Sequence, residues 1–447
     1  MGKNLIDGKI GESLIIFSLP MILGNMLQQL YNVADTLIVG KTIGATALSA
    51  VGSSYALMVL LTSIILGLCM GSSVVFSQLY GAKKIDDMKT SIFNSFLFIL
   101  FVSIAINLIS FLLLEKFIIW LNIPDKAVEF TREYLKVIFI GITFVYIYNF
   151  LASILRSIGN TIVPLIFLAL SAITNIILDI VFIVYFDMGV SGAAWATVIS
   201  QIISALSITL YSFFKIKQLF PSKKHMYYSK TLLNLIVNNS ILTAIQQSIM
   251  NLGILMVQGL VNSFGFAASA AFAAVVKIDA FAYMPAQDFG NAFSTFVAQN
   301  YGAKKSDRID AGFKIAMKIS VLFCLLSSAC VYVFAKPLML MFVKAEEIEI
   351  INIGIQYLHI EGLFYVGIGI LFLLYGLYRG LGKSMMSIIL TVISLGSRVA
   401  LAYTLSSIPA LNMNGIWYSV PIGWALADVF GLWLYHKKKD DLINNLN

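Results

Sequence analysis

Charge is scarce in this chain: Lys, Arg, Asp and Glu make up 12% of its 447 residues, about half the roughly 25% found in soluble domains. A water-facing surface of this length cannot be built from so few, which excludes an ordinary soluble domain. Cysteine is nearly absent as well. Cys69, Cys324 and Cys330 lie inside apolar stretches with no Cys-x-x-Cys or His-rich neighbour, so they read as small core residues. The three histidines, His225, His359 and His436, are scattered at or near loops and suggest neither a zinc site nor a base that activates a nucleophile. No enzyme and no cofactor are expected. Two stretches, Val39–Thr42 (VGKT) and Leu381–Ser384 (LGKS), resemble the end of a phosphate-binding loop, but the earlier glycine is Asp35 in one and Leu377 in the other. Neither follows a strand, so ATP is not expected as a partner.

Hydrocarbon fills the chain instead, with 59% of residues hydrophobic. A helix that crosses a bilayer needs about 20 apolar residues, so there is room for about twelve. Apolar runs bounded by polar or glycine-containing turns place them near 13–39, 48–78, 91–114, 131–155, 162–186 and 191–214, then near 238–263, 268–299, 312–335, 352–378, 384–406 and 414–436. The polar start, with Lys3 and Lys9, leads into the first run without a small-residue cleavage site and reads as a retained span. With both termini cytoplasmic, inner segments and adjoining span ends hold 21 of the 30 Lys and Arg, and outer ones hold seven. Only Lys277 and Arg398 are left within spans. The positive-inside rule accounts for the basic residues, and a nucleic-acid partner is not needed to explain the net charge of +8.

The chain also repeats itself. Gln78–Lys84 (QLYGAKK) recurs 221 residues later as Gln299–Lys305 (QNYGAKK). Arg156–Asn160 (RSIGN) is echoed by Arg379–Lys383 (RGLGK), and Gly192–Trp195 weakly by Gly415–Tyr418, each at a displacement of 223. Because each repeat carries an even number of spans, both halves enter the membrane in the same orientation. The expected fold is all-α and integral to the membrane, with twelve transmembrane helices in two six-helix bundles related by a pseudo-two-fold axis along the membrane normal. The expected organisation is an N-terminal bundle over residues 1–214, a cytoplasmic linker over 215–237, and a second bundle with a short basic tail over 238–447. Two such bundles imply a transporter more readily than a receptor, and an ion gradient or the solute's own gradient must drive it.

Ionisable groups inside a bilayer are costly and therefore candidates for function. The deep acids are Asp35, Asp179, Asp279, Asp288, Glu361 and Asp428. Asp35 lies about five residues before the outer end of the first run, Asp179 about seven before that of the fifth, and Thr197 about five beyond Gly192, which at roughly 1.5 Å per residue puts all three at similar depth. Asn175 is one helical turn from Asp179, and Tyr31 one turn from Asp35. Two carboxylates, a carboxamide, a hydroxyl and a phenol can thus converge on oxygen ligands suited to Na+ or to a proton. The plain alternative is that both acids only hydrogen-bond neighbouring helices.

Pro20 removes a backbone hydrogen bond in mid-span and is either a hinge or a packing kink. In the second half, Lys277 and Asp279 are two residues apart and so on different faces. Asp279 either faces a solute cavity or pairs with a cation such as Arg398. Gln28 and Gln246 complete the candidate cavity set with Lys277 and Asp279. The 17 methionines and the 13% of aromatic residues suit a cavity that accepts varied flat solutes.

Several stretches together resemble the multidrug and toxic compound extrusion (MATE) transporters: Phe17–Pro20 (FSLP), Leu30–Gly40 (LYNVADTLIVG), Ala47–Ala50 (ALSA), Leu155–Gly159 (LRSIG) and the paired QxYGAKK motifs. The likeness covers essentially the whole chain and looks closest to the bacterial MepA-like branch. It implies a V-shaped pair of bundles that exports amphipathic, often cationic drugs or dyes in exchange for Na+ or H+. The expected location is the plasma membrane, and a monomer is the expected state, although lipid-facing and partner-facing apolar surfaces look alike in sequence. By motif match Asp35, Asn175, Asp179 and Thr197 look like the family's first-half cation site. Tyr31 looks like its neighbour, and Pro20 like the proline whose bending accompanies loading. The second half departs from a branch that places essential carboxylates on spans 7 and 10: here span 7 offers Gln246 and Gln247, and span 10 only Glu361 near its outer start. A flippase for a lipid-linked precursor, or a membrane protein that does not transport, are the alternatives.

Overall fold

The structure, a computed structural model, describes residues 4–121 and 123–442. Every regular element among them is helical. A bilayer demands this, because no water is available to satisfy an open amide and a helix closes its own hydrogen bonds. The chain forms two compact units: unit 1 is Leu23–Ala244, and unit 2 joins Asn4–Ile22 to the chain from Ile245 onward. Helix α1 (Ile10–Thr42) begins in unit 2 and ends in unit 1. Unit 1 continues with α2 (Ala45–Gly81), α3 (Ile85–Leu112), the short α4 (Leu114–Trp120), α5 (Asp125–Ser157), α6 (Ile162–Asp179) and α7 (Gly189–Lys215). Helix α8 (Lys230–Asn262) starts in unit 1 and passes into unit 2. Unit 2 then holds α9 (Phe266–Gly302), α10 (Ser306–Val333), the short α11 (Ala335–Leu340), α12 (Ile348–Gly362), α13 (Tyr365–Gly380), α14 (Ser384–Ser406) and α15 (Met413–Leu442).

Among the described residues, ten of these helices are long and apolar enough to cross a membrane, and α12 with α13 make an eleventh span, bent by 53°. Helix α15, 30 residues long, is the twelfth. The all-α, twelve-helix membrane architecture expected from the sequence is the one that forms, with one refinement: the tenth span is broken at Gly362, where Phe364 and Gly367 bond back over three residues instead of four.

Helix α3 shows why these elements need lipid. Its buried face carries Ser91, Ser95, Ser103 and Ser110 alongside Met88, Ile92 and Ile99, while Phe101, Leu108 and Leu112 are exposed. Buried serines and exposed large apolar side chains on one helix suit packing in hydrocarbon, where close backbone approach replaces the hydrophobic effect as the source of association. Gly71 of α2 and Gly376 of α13 are extreme cases. A Cβ would lie 2.4 Å from the Asn239 carbonyl oxygen in the first case, and 2.3 Å from that of Gly290 in the second.

The repeat is also geometric. Helices α2 and α9 both have 37 residues, and each is followed two residues on by a lysine in the left-handed region, Lys83 (φ 58°) and Lys304 (φ 56°). The next amide reaches back to Leu79 in one half and to Asn300 in the other. Gly159 and Gly382 close α5 and α13 in the same left-handed way. Within unit 2, Asn4–Gly8 is tied down by Asn300, whose Nδ2 donates to the Leu5 carbonyl at 3.1 Å, and by Arg308, whose guanidinium donates to Gly8 at 2.9 Å. Within unit 1, the basic linker docks on α3, with Asn94 Nδ2 donating to the Tyr227 carbonyl at 3.0 Å and His225 Nε2 lying 2.8 Å from Asp86.

Candidate functional site

In unit 1, Asp35 comes from α1, Asn175 and Asp179 from the end of α6, and Thr197 from α7. Asp179 is fully buried, Asn175 is 1% exposed and Asp35 9%. The carboxyl groups of Asp35 and Asp179 face each other closely enough to act on one another directly. Asn175 Nδ2 donates to Thr197 Oγ1 at 3.4 Å. Tyr31 lies against Asp35 and is steadied by Gln28, which is itself exposed. Local backbone helps to place Asp179, since the α-helix gives way immediately after it to a π-helical turn, Ile180–Tyr185. Such turns carry an extra residue, re-aim side chains and recur at functional sites.

The cluster is short of donors. Asp35 Oδ1, Asn175 Oδ1 and both oxygens of Asp179 are buried without a hydrogen-bond partner. Four acceptors from three side chains on two helices are therefore buried without a donor in this part of unit 1. Leaving a buried acceptor unmet costs about 1–3 kcal/mol, and more for a charged one, which makes Asp35 and Asp179 the candidate ion-holding residues of unit 1. Tyr134 of α5, 7% exposed, stands within electrostatic reach of both acids and of Tyr31. It was not singled out in the sequence, because one tyrosine among 20 carries no mark.

Unit 2 gathers a second set. Asp279 on α9 is 3% exposed and accepts the hydroxyls of Tyr357 (2.7 Å) and Tyr365. Glu361 stands at the end of α12, just before the break, and the charges of Asp279 and Arg398 both act on it. Asp279, Glu361, Tyr357 and Arg398 line one cavity. Glu361 is therefore not an isolated acid of the tenth span. Lys277 is exposed and does not join this lining, since two residues along a helix turn it away from Asp279. Gln246 is buried on α8 but is also outside the lining. Pro20 is half-buried within α1, two residues before that helix passes from one unit to the other.

Comparison with known proteins agrees with this architecture. The MatE family model matches residues 20–181 and 240–404, one stretch in each repeat. The probable multidrug resistance protein YpnP of Bacillus subtilis is 32% identical over 392 residues, covering 88% of this chain and 87% of that protein. The multidrug export protein MepA of Staphylococcus saprophyticus is 25% identical over 422 residues, 93% of this chain and 90% of its own length. A MATE crystallised in complex with MaL6 has the same fold, with a TM-score of 0.93 at 23% identity and 99% of both chains covered. Twelve helices, an internal repeat and a two-part family match lead to one conclusion: this chain belongs to the MATE family of multidrug efflux transporters.

Proposed function

We propose that the protein is a secondary active exporter that exchanges Na+ or H+ for amphipathic, often cationic organic compounds by alternating access. It works as a monomer in the plasma membrane with both termini cytoplasmic, and it uses neither ATP nor a resident cofactor. The observation that carries this reading is the group of four buried, partnerless oxygens of Asp35, Asn175 and Asp179. Two carboxylates about 4 Å apart repel by about 4 kcal/mol even at an effective dielectric near 20. A proton or cation between them removes that repulsion, so the loaded and empty sites favour different arrangements of α1 and α6. Thr197 and Tyr31 supply neutral oxygens around the ion, and Pro20 gives α1 the bending point through which loading is felt. The exported class follows from what relatives are named for, multidrug export.

Dye flux in proteoliposomes, with the Na+ and proton gradients imposed one at a time, tests the reading. Export driven by one of the two gradients, and lost in Asp35→Asn and Asp179→Asn, is the expected result. Undiminished export in both variants would remove the coupling site.

A further inference from the structure

The chain between α7 and α8 is basic with no acid of its own to balance it. This stretch and the helix ends beside it carry Lys215, Lys217, Lys223, Lys224 and Lys230, all exposed, and no Asp or Glu occurs between Asp187 and Asp279. Among the described residues only Lys224 of the five reaches an acid, Asp86 at 3.4 Å. The basic residues of unit 2 are placed differently, with Lys305 paired to Asp7 at 2.7 Å and Lys439 to Asp310 at 2.8 Å. Large apolar side chains stand among the unpaired lysines: Phe213 and Phe214 on the last turn of α7, then Met226, Tyr227 and Tyr228, are each more than half exposed. Lys217 Nζ lies 5.6 Å from the centroid of the Phe213 ring. The backbone that carries these groups is pinned to α3. Asn94 donates to the Tyr227 carbonyl at 3.0 Å and accepts the Ser229 amide at 3.3 Å. His225, 3% exposed, is held between Asp86 at 2.8 Å and the Ser222 amide at 3.2 Å. Unpaired cations and bare rings are thus presented together by an ordered turn, at the ends of two helices long and apolar enough to cross a membrane.

We propose that this turn is a binding surface for anionic phospholipids of the adjoining leaflet, with Lys215, Lys217, Lys223 and Lys230 on the phosphates and Phe214 and Tyr228 seated among the glycerol and upper acyl groups. A soluble anion would meet the lysines and leave the rings in water. An apolar partner would cover the rings and leave the cations unmatched. An anionic lipid supplies phosphate and hydrocarbon at adjacent depths, and the spans on either side bring the turn to that boundary. Because the turn is already ordered by Asn94 and Asp86, the lipid does not have to immobilise a loose loop on binding. The lipid in turn fixes how deeply the end of α7 and the start of α8 sit. None of this rests on the export reading.

Lipid retention by the full-length protein tests it. The protein in detergent is incubated with equal amounts of phosphatidylglycerol and phosphatidylcholine of the same acyl chains, separated by gel filtration, and its bound lipid is quantified by mass spectrometry. Phosphatidylglycerol is expected to be retained over phosphatidylcholine by about fivefold or more, the equivalent of about 1 kcal/mol for one lysine at an anionic surface. Replacing Lys215, Lys217, Lys223 and Lys230 together by Gln should abolish that preference. Replacing four exposed lysines outside the turn, Lys83, Lys84, Lys304 and Lys318, should leave most of it. Phe214→Ser combined with Tyr228→Ser should lower retention of phosphatidylglycerol with every lysine in place. Equal retention of the two lipids by the unmodified protein overturns the proposal without any variant having to fold. An equal loss in both fourfold variants also overturns it, since the preference then belongs to basic charge in general. Displacement of the phosphatidylglycerol by inorganic phosphate, but not by chloride at the same ionic strength, overturns it in favour of a soluble anion.

Discussion

Asp179→Asn separates a coupling role from a structural one, because the two predict opposite effects on stability. Asp179 is fully buried, both its oxygens lack partners, and it faces Asp35. A carboxylate that holds helices together would have donors, and losing it would cost stability. Here asparagine keeps the shape, removes one of two facing charges and brings an amide donor to Asp35. Repulsion gives way to a hydrogen bond worth about 1–3 kcal/mol to a charged partner. The thermal midpoint in detergent should therefore stay level or rise. Cation binding should collapse. A unit charge about 4 Å from a carboxylate gains about 4 kcal/mol at an effective dielectric near 20, and losing it weakens affinity roughly a thousandfold. Half-saturation should rise by the same factor. The assay pairs ion-driven dye export in proteoliposomes with a melting curve of the same preparation. Wild-type export, or a midpoint several degrees lower, would refute the reasoning: the first removes the ion site, and the second makes Asp179 a strut.

Tyr365→Phe should leave a buried carboxylate oxygen of Asp279 unmet and cost about 1–3 kcal/mol, read as a lower thermal midpoint with dye-export coupling ratio unchanged. Gly376→Val places a side chain where even a Cβ would meet the Gly290 carbonyl at 2.3 Å; overpacking by at least about 1–3 kcal/mol should appear as heat-induced aggregation well below that of the unmodified protein. At the N-terminus, hydrogen bonds from Lys305 and then Asn4 hold the Asp7 carboxyl below its ordinary 3.8. Because the folded value is the lower one, the part of the Asn4–Gly8 tether that Asp7 supplies through Lys305 is complete above the ordinary value and lost as pH falls through the folded one, while the Asn300 and Arg308 bonds to Leu5 and Gly8 remain. Protection of the Leu5–Gly8 amides, taken relative to the intrinsic exchange rate at each pH, should fall below about pH 4, and Asp7→Asn should show the lower protection already at neutral pH.

The spans and the repeat were legible because they depend on composition and identity. Apolar runs of bilayer length announce themselves, and QLYGAKK with QNYGAKK marks the register of both halves. The meeting of Asp35 with Asp179 was legible because helical rise converts sequence distance into depth. The unit 2 cluster was harder to see. Tyr357, Glu361 and Tyr365 stand at successive turns, a spacing present in the sequence, but the break at Gly362 that aims them at Asp279 is set by packing and not by a proline. Tyr134 belongs to the same class, since only tertiary contact distinguishes it from other tyrosines. The crossing of α1 and α8 from one unit to the other leaves no trace in the sequence, because it falls within continuous helix with no turn residue to flag it.

Helix α3 carries a last consequence. With serines turned inward and phenylalanine and leucine turned outward, tolerance to substitution is reversed from that of a water-soluble helix. The greasy rim accepts almost any aliphatic exchange, since one hydrocarbon neighbour serves as well as another. The hydroxyl-lined seam tolerates scarcely a methyl group. Variation among descendants of this gene should therefore collect on the bulkiest residues of the helix and spare its smallest.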